Sequence, residues 1–337
     1  MVVKLGLIGC GAIARTHVIN IKKNIKNAKI VAIYDLYLTA AQKLIEDTKI
    51  ESKICYSIDE LINENIDAVM ICSRNDAHLE PILKAIHHNK YVFTEKPLVD
   101  NAKDCKKIIA AEISGNKRLI QVGFMRRYDP FYQEMKTEMT SGNIGEPLMG
   151  YCRHFTTHPA TSYFKTENMI NDAFIHEIDI LHWLFEDRYQ SIQVQFARQN
   201  SLNINEQLYD PQIVTIKFKK GAIVNTYLSQ NSQYGYDVMC QIIGEKGIVQ
   251  LPDMPSIETR YNQNISRHID KDWTKRFDLA YKLEIKDFIN RVAREMPLHG
   301  PSSWDGYIAA VTADAAIQSQ KNQKPVQISY DKKPDFY

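Results

Sequence analysis

The chain has 337 residues, with 42 Lys and Arg against 40 Asp and Glu, a formal net charge of +2, 44% hydrophobic and 24% charged residues. That balance excludes extensive disorder and, at this length, points to two hydrophobic cores rather than one. Basic residues are scattered rather than striped, which gives nucleic acid no support, and no apolar run is long enough to span a bilayer.

The 6 cysteines (Cys10, Cys55, Cys72, Cys105, Cys152, Cys240) form no C-x-x-C pair and lie mostly in apolar runs, so they read as reduced, buried thiols of a cytoplasmic protein. The N-terminus runs almost at once into Val2 to Ile8 without a signal-type arrangement.

Leu5 to Ile8 form the first apolar strand, followed by Gly9-Cys10-Gly11-Ala12-Ile13-Ala14 and a helix expected to open at Arg15. This is G-x-G-x-x-A between a strand and a helix, and Lys29 to Tyr34 makes a second strand ending at Asp35. The spacing matches a dinucleotide-binding turn, with Gly9, Gly11, Ala12 and Ile13 against the pyrophosphate and Asp35 on a ribose. The Asp35 carboxylate accepts ribose hydroxyls and repels a 2′-phosphate, so NAD is expected over NADP. A helix over Thr39 to Thr48, a strand Ile54 to Tyr56 and a helix Ile58 to Asn63 capped by Ser57 come next.

Ala68 to Cys72 is wholly apolar, as a strand buried on both faces should be. Its carboxyl end carries Ser73, Asn75 and His78, and the strand Tyr91 to Thr94 ends at Glu95-Lys96-Pro97. Ligands of open α/β sheets bind at the carboxyl ends of strands, so these residues join the candidate cofactor site. A helix, Ala102 to Ile113, and a strand, Leu119 to Gly123, complete a doubly wound parallel sheet over residues 1–124.

From residue 125 the pattern changes. Phe131 to Thr140 reads as a helix, and the later strands alternate apolar and polar residues, as half-buried antiparallel strands do. Gln212 to Phe218 pairs with Ala222 to Leu228 in a hairpin, and Tyr236 to Ile243 with Gly247 to Leu251. Amphipathic helices are expected around Phe277 to Val292 and over Trp304 to Ser319. Residues 125–337 are thus expected to form an α+β domain with a large, mainly antiparallel sheet whose open face packs against another subunit.

Within that half, Asn171 to Leu184 reads as a helix with Asp172, His176 and Asp179 on one face and Ile175, Ile178, Leu181, Trp183 and Leu184 as its apolar anchor. By itself the polar stripe fits a solvated face, and Asp172, His176 and Asp179 also have metal-ligating chemistry. His176-Glu177 begins like H-E-x-x-H, but the next histidine is His182, which breaks the one-turn zincin spacing, so no metal is expected. After a dinucleotide turn and a strand-end lysine, the stripe reads instead as general-base machinery: His176 takes a hydroxyl proton, Asp172 orients it, and Lys96 steadies the developing alkoxide, with the nicotinamide between Lys96 and His176.

Gly9-x-Gly11-x-x-Ala14, Ser73-x-Asn75-x-x-His78, Glu95-Lys96-Pro97 and Asp172-x-x-x-His176 together resemble the glucose–fructose oxidoreductase, inositol dehydrogenase and MocA (Gfo/Idh/MocA) family over nearly the whole chain. Gly123 to Asp129, His176 to Leu184, Tyr234-Gly235-Tyr236-Asp237, Asp272-Trp273 with Arg276-Phe277, and Trp304 to Tyr307 look like its inositol 2-dehydrogenase branch. The resemblance implies NAD-dependent oxidation of a ring secondary alcohol to an inosose in inositol catabolism, on a homotetramer assembled through the second-domain sheets. It further implies Lys96, Asp172 and His176 as the catalytic set, and Arg126, His154, Asp179 and Tyr234 or Tyr236 near a polyol or sugar substrate. One departure is visible: where the branch commonly has His followed by Arg-Asn, this chain reads His154-Phe155-Thr156-Thr157, which bears on the preferred isomer. Scyllo-inositol or another polyol as substrate, and a catalytically silent NAD or sugar sensor, are the competing readings. A sensor has no need of the acid/base pair that this chain keeps.

Overall fold

The computed structural model describes residues 1–157, 164–202, 205, 207–253 and 256–337. The chain divides into two compact units, one of Met1–Met125 with Leu279–Ala310 and Asp331–Tyr337, the other of Arg126–Asp278 with Val311–Tyr330. The first switch falls one residue from the expected boundary at 124/125. The rest of the chain is not one continuous second domain, because most of the helix expected around Phe277 to Val292 belongs to the first unit. There Phe288 meets Phe93 edge to face at 5.8 Å and the Glu284 carbonyl accepts from Gln121 Nε2 at 3.4 Å. Amphipathic periodicity tells that a helix covers something apolar and is silent on which sheet it covers.

The first unit is built on β1 (Val3–Ile8), α1 (Ala12–Asn24), β2 (Ala28–Tyr34), α2 (Leu38–Thr48), β3 (Lys53–Ile54), α3 (Ile58–Asn63), β4 (Ala68–Ile71), α4 (Leu79–His87), β5 (Tyr91–Glu95), α5 (Ala102–Ser114) and β6 (Ile120–Gly123). The strands run in the order β3-β2-β1-β4-β5-β6, all parallel. Every residue of β4 and β5 is buried, which is why both lack alternation. The order reverses between β1 and β4, and this is where a doubly wound sheet opens its binding crevice. Helix α1 starts at Ala12, three residues before the expected opening at Arg15, because the chain turns sharply at Gly9 (φ 89°) and Gly11 already serves as N-cap. Ser57 Oγ caps α3 by accepting from Glu60 N at 3.0 Å, as the sequence predicts.

The second unit contains α6 (Pro130–Thr140), β7 (Pro147–Phe155), a π-helical turn (Met169–Phe174) running into α7 (Ile175–Phe185), β8 (Tyr189–Phe196), β9 (Gln212–Phe218), β10 (Ile223–Ser229), β11 (Asp237–Gly244) and β12 (Ile248–Gln250). A small hairpin, β13 (Glu258–Tyr261) with β14 (Asn264–Arg267), and α8 (Trp273–Arg276) follow. Of the remaining elements, α9 (Asp278–Ala293) lies almost wholly in the first unit, α10 (Ser303–Asn322) divides after Ala310, and β15 (Val326–Gln327) returns to the second.

The seven-stranded sheet has the order β12-β11-β7-β10-β9-β8-β15. Both expected hairpins are present, and every pairing is antiparallel except β7 with β10. In β9 the residues Ile213, Thr215 and Lys217 alternate with buried Val214, Ile216 and Phe218, so one face makes the core. The opposite face is apolar in part. Ile248, Ile243, Met149 and Ile223 sit opposite one another across four strands, and Ile248, Met149 and Ile223 are exposed.

Candidate active site

In the first unit the glycines of the turn divide their work. A Cβ on Gly9 would lie 2.4 Å from Ser73 N and 2.6 Å from the Cys72 carbonyl carbon, so only glycine lets the loop after β1 pass the loop after β4. A Cβ on Gly11 would meet nothing within 4 Å. The first turn of α1 has neither a side-chain cap nor an acidic residue, leaving its backbone N–H groups to an anion. These features fit the pyrophosphate of a dinucleotide. Asp35 steadies the turn: its Oδ2 accepts from Cys10 N at 2.7 Å and its Oδ1 from Tyr37 N at 2.8 Å. Burial, with the Asp35 charge beside it, pushes the Cys10 thiol up to about 12, so a neutral sulfur faces this loop.

The strand ends β4 and β5 are laced together by His78. Its buried ring places Nδ1 at 2.9 Å from the Pro97 carbonyl and Nε2 at 3.1 Å from the Ser73 carbonyl. His78, read as a cofactor residue, is buried between the two loops it ties, while Ser73 and Asn75 are half-buried at the strand end. Lys96 is half-buried immediately after β5, and its backbone N–H donates to Glu95 Oε2 at 3.2 Å.

In the second unit, α7 excludes the solvated-face reading. Every residue from Ile175 to Leu181 is buried, polar ones included. The wider π-helical turn delivers Asp172 to the start of this helix, where its Oδ2 accepts from Asn168 Nδ2 at 3.0 Å. Such turns recur at functional sites because the extra residue re-aims side chains. Asp179 accepts a two-pronged bond from Arg127, Nε to Oδ2 at 2.9 Å and Nη2 to Oδ1 at 2.5 Å.

Glu177, given no role from the sequence, organises the centre. It forms an ion pair with fully buried Arg126, and its Oε2 accepts from His154 Nδ1 at 3.0 Å. Burial pushes the Glu177 carboxyl up, but Arg126 and His154 outweigh burial and hold it below the ordinary carboxylate range. Arg126 Nη2 stands 3.3 Å from the same ring nitrogen, so the cation and the carboxylate both bear on His154 Nδ1. The His154 ring lies 6.1 Å from that of His176 and 6.2 Å from that of Tyr236, so the two histidines and Tyr236 form one cluster. Burial pushes the Tyr236 phenol up to about 12, keeping it a neutral hydroxyl. Tyr234 is half exposed and donates to Asp237 Oδ2 at 2.6 Å.

Arg126 and Asp179, expected near the substrate, therefore both sit in ion pairs with their own chain. A sequence shows that Glu177 adjoins His176 but cannot show that β7 brings His154 against it. The departure at His154-Phe155-Thr156-Thr157 is concrete: Thr156 Oγ1 donates to Gln230 Oε1 at 2.8 Å and Thr157 Oγ1 to the Lys271 carbonyl at 2.6 Å. Both hydroxyl protons are spent on the protein itself. Among the described residues, the His, Cys, Asp and Glu side chains whose ligating atoms converge within 4.8 Å do not include Asp172, His176 and Asp179 as a set.

A family profile described as an oxidoreductase family with an NAD-binding Rossmann fold matches residues 3–124, and its C-terminal alpha/beta domain matches residues 136–328. The chain is 40% identical over 338 residues to an inositol 2-dehydrogenase of Salmonella paratyphi B, covering 100% of both. It is equally 40% identical to an inositol 2-dehydrogenase/D-chiro-inositol 3-dehydrogenase of Halalkalibacterium halodurans, covering 100% of this chain and 97% of the relative. Its structure matches, with a TM-score of 0.97, 40% identity and 100% coverage of both chains, that of myo-inositol dehydrogenase from Lactobacillus casei in complex with NAD(H) and myo-inositol.

Proposed function

Because the chain belongs to the Gfo/Idh/MocA oxidoreductase family and carries its NAD-binding Rossmann domain, we propose that it is an NAD-dependent inositol 2-dehydrogenase that oxidises a ring secondary alcohol of myo-inositol or a related isomer to an inosose. The observation that carries this reading is full-length likeness, at 40% identity, to a myo-inositol dehydrogenase solved with both NAD(H) and myo-inositol. Retention of Lys96 and His176 sets the chain apart from a sensor that binds and does not react.

NAD, when bound at the glycine turn, supplies the hydride acceptor. The residues of the chain then have to remove the hydroxyl proton and steady the oxygen as the C–H bond breaks. His176 is the general base, a role worth about 10²–10⁴-fold. Asp172 orients its ring, and Lys96 hydrogen-bonds the carbinol oxygen and stabilises the developing alkoxide. His154, Tyr236, Tyr234, Asp179 and Arg126 make up the substrate side. Ser73, Asn75, Glu95 and Asp35 complete the cofactor side. No step requires a metal, and turnover is expected to survive exhaustive chelation.

The enzyme works as a homotetramer in the cytoplasm, in inositol breakdown, on this reading. The exposed row of Ile248, Met149 and Ile223 supports an interface on the second sheet, and six free cysteines suit a reducing compartment. The test is NAD reduction with myo-, scyllo- and chiro-inositol and glucose, by the wild type, His176→Ala and Lys96→Ala. Turnover of an inositol that falls at least about a hundredfold in both variants is expected. Near-wild-type kcat in either variant removes that residue from the mechanism, and no turnover of any inositol refutes the substrate.

A further inference from the structure

Directly behind the strand end that carries Lys96, three ionisable side chains from three elements of the first unit converge. His17 comes from α1, Glu95 from the last position of β5 and Glu284 from α9, and their ring-nitrogen and carboxylate oxygen atoms lie within 4.8 Å of one another. His17 and Glu284 have no exposed surface and Glu95 is buried. Glu95 is fully engaged: Oε1 meets His17 Nε2 at 2.7 Å, and Oε2 accepts the Lys96 backbone N–H at 3.2 Å. Neither oxygen of Glu284 has a hydrogen-bond partner among the described residues.

An ionised carboxylate does not persist in such a place. It would sit in an interior lined by Phe93, Phe288 and the Tyr281 ring, without a donor, and a few ångströms from a second carboxylate. Burial first, and the Glu95 charge second, drive the Glu284 carboxyl well above its ordinary value. The other titratable groups facing the cluster are the Cys72 thiol, itself pushed up by burial and by Glu95, and Tyr281 one turn earlier on α9.

We propose that Glu284 is a positioning residue that serves as a neutral carboxylic acid, leaving Glu95 as the single carboxylate of the cluster and so holding the backbone at Lys96. Two charges there would repel, and Glu95 would relieve the repulsion by swinging away, which removes an acceptor from His17 or from the Lys96 N–H. The neutral acid thus leaves intact, behind the strand end that carries Lys96, the contacts of Glu95 to His17 and to the Lys96 N–H. Its consequence for turnover rests on the role of Lys96 proposed above, whereas the protonation of Glu284 does not.

Two measurements on the full-length protein test this. The first is an infrared difference spectrum of wild type minus Glu284→Gln at neutral pH, with and without NAD, in H2O and D2O. A protonated carboxylic C=O band that is lost in the variant and moves down in D2O is expected. Its absence overturns the proposal whatever the substrate proves to be. The second is kinetic: Glu284→Gln, which keeps a neutral polar group of the same shape, is expected to hold kcat and the KM for NAD within about twofold, whereas His17→Leu, which strips Glu95 of its partner, lowers kcat about tenfold with less change in KM. A loss of more than about tenfold in kcat by a folded Glu284→Gln would show that a charge is needed. Stoichiometric metal in the purified wild type that disappears in Glu284→Gln would make the cluster a cation site instead, and likewise overturns the acid.

Discussion

Alanine at Gly9 and alanine at Gly11 should do opposite things, although both glycines belong to one motif. At Gly9 the backbone is at φ 89° and the new methyl would press on the backbone of Cys72 and Ser73, with the nearest atom at 2.4 Å. Left-handed strain for an L-residue costs about 1–2 kcal/mol and overpacking about 1–3 kcal/mol, together about 2–5 kcal/mol. Backbone cannot rotate away as a flexible side chain can. A melting temperature lowered by roughly 5–15 °C follows. At Gly11 the methyl meets no protein atom within 4 Å, so stability should stay within about 0.5 kcal/mol of wild type. The same methyl stands where the pyrophosphate must approach, and NAD affinity should fall about tenfold, or 1.4 kcal/mol. The assay is thermal denaturation with and without NAD, backed by calorimetric titration. At a wild-type hundredfold excess over Kd, NAD should stabilise the wild type by about 2.7 kcal/mol and Gly11→Ala by about 1.4 kcal/mol. Equal melting losses in the two apo variants, or undiminished NAD stabilisation in Gly11→Ala, would refute the division of labour.

Replacing Glu177 with Gln leaves Arg126 as a buried cation without its counter-ion, and a loss of about 3–5 kcal/mol is expected in denaturant titrations. Since the Glu177 carboxyl is held below its ordinary value, its stabilisation is present above the unfolded value of about 4.3 and is lost as pH falls through the depressed folded one. The acid limb of a pH–stability curve should accordingly flatten in Glu177→Gln, and an unchanged limb would place the acid sensitivity elsewhere. Asp35→Ser should erode the preference for NAD over NADP and also loosen the turn at Cys10 N, measured as the ratio of kcat/KM for the two cofactors. A ratio equal to that of wild type would contradict the ribose assignment. Met149→Glu with Ile223→Glu should break the proposed homotetramer, because both residues lie on the exposed face of the second sheet. Light scattering that reports the same mass for this variant as for wild type would move the interface to another surface.

Much of the first unit was legible because its signals are local. A glycine turn between a strand and a helix, a serine three residues before a glutamate, and a wholly apolar strand each follow from short-range sterics, capping and burial on both faces. The second sheet was legible as a set of hairpins for the same reason, since two-fold alternation marks half-buried strands. The parallel pairing of β7 with β10 was not, because it joins residues more than seventy positions apart by hydrogen bonds that every backbone can make.

The helix of Asp172, His176 and Asp179 shows the same boundary at the site. Its existence and its apolar anchor follow from periodicity, and a dinucleotide turn upstream turns its polar stripe into chemistry. Its sequence does not distinguish the residues that present themselves to a substrate from those that hold the others in place. That distinction arises from packing: β7 sets His154 against Glu177, Glu177 takes Arg126, and Arg127 takes Asp179. The sequence by itself determined the glycine turn, the strand-end lysine and the helix that carries His176, because each is written in neighbouring residues. Only the tertiary structure decided which charges are buried together, as with Glu177 and Arg126 or with Glu95 and Glu284, because the energy of a charge depends on the dielectric and the partners that folding brings to it.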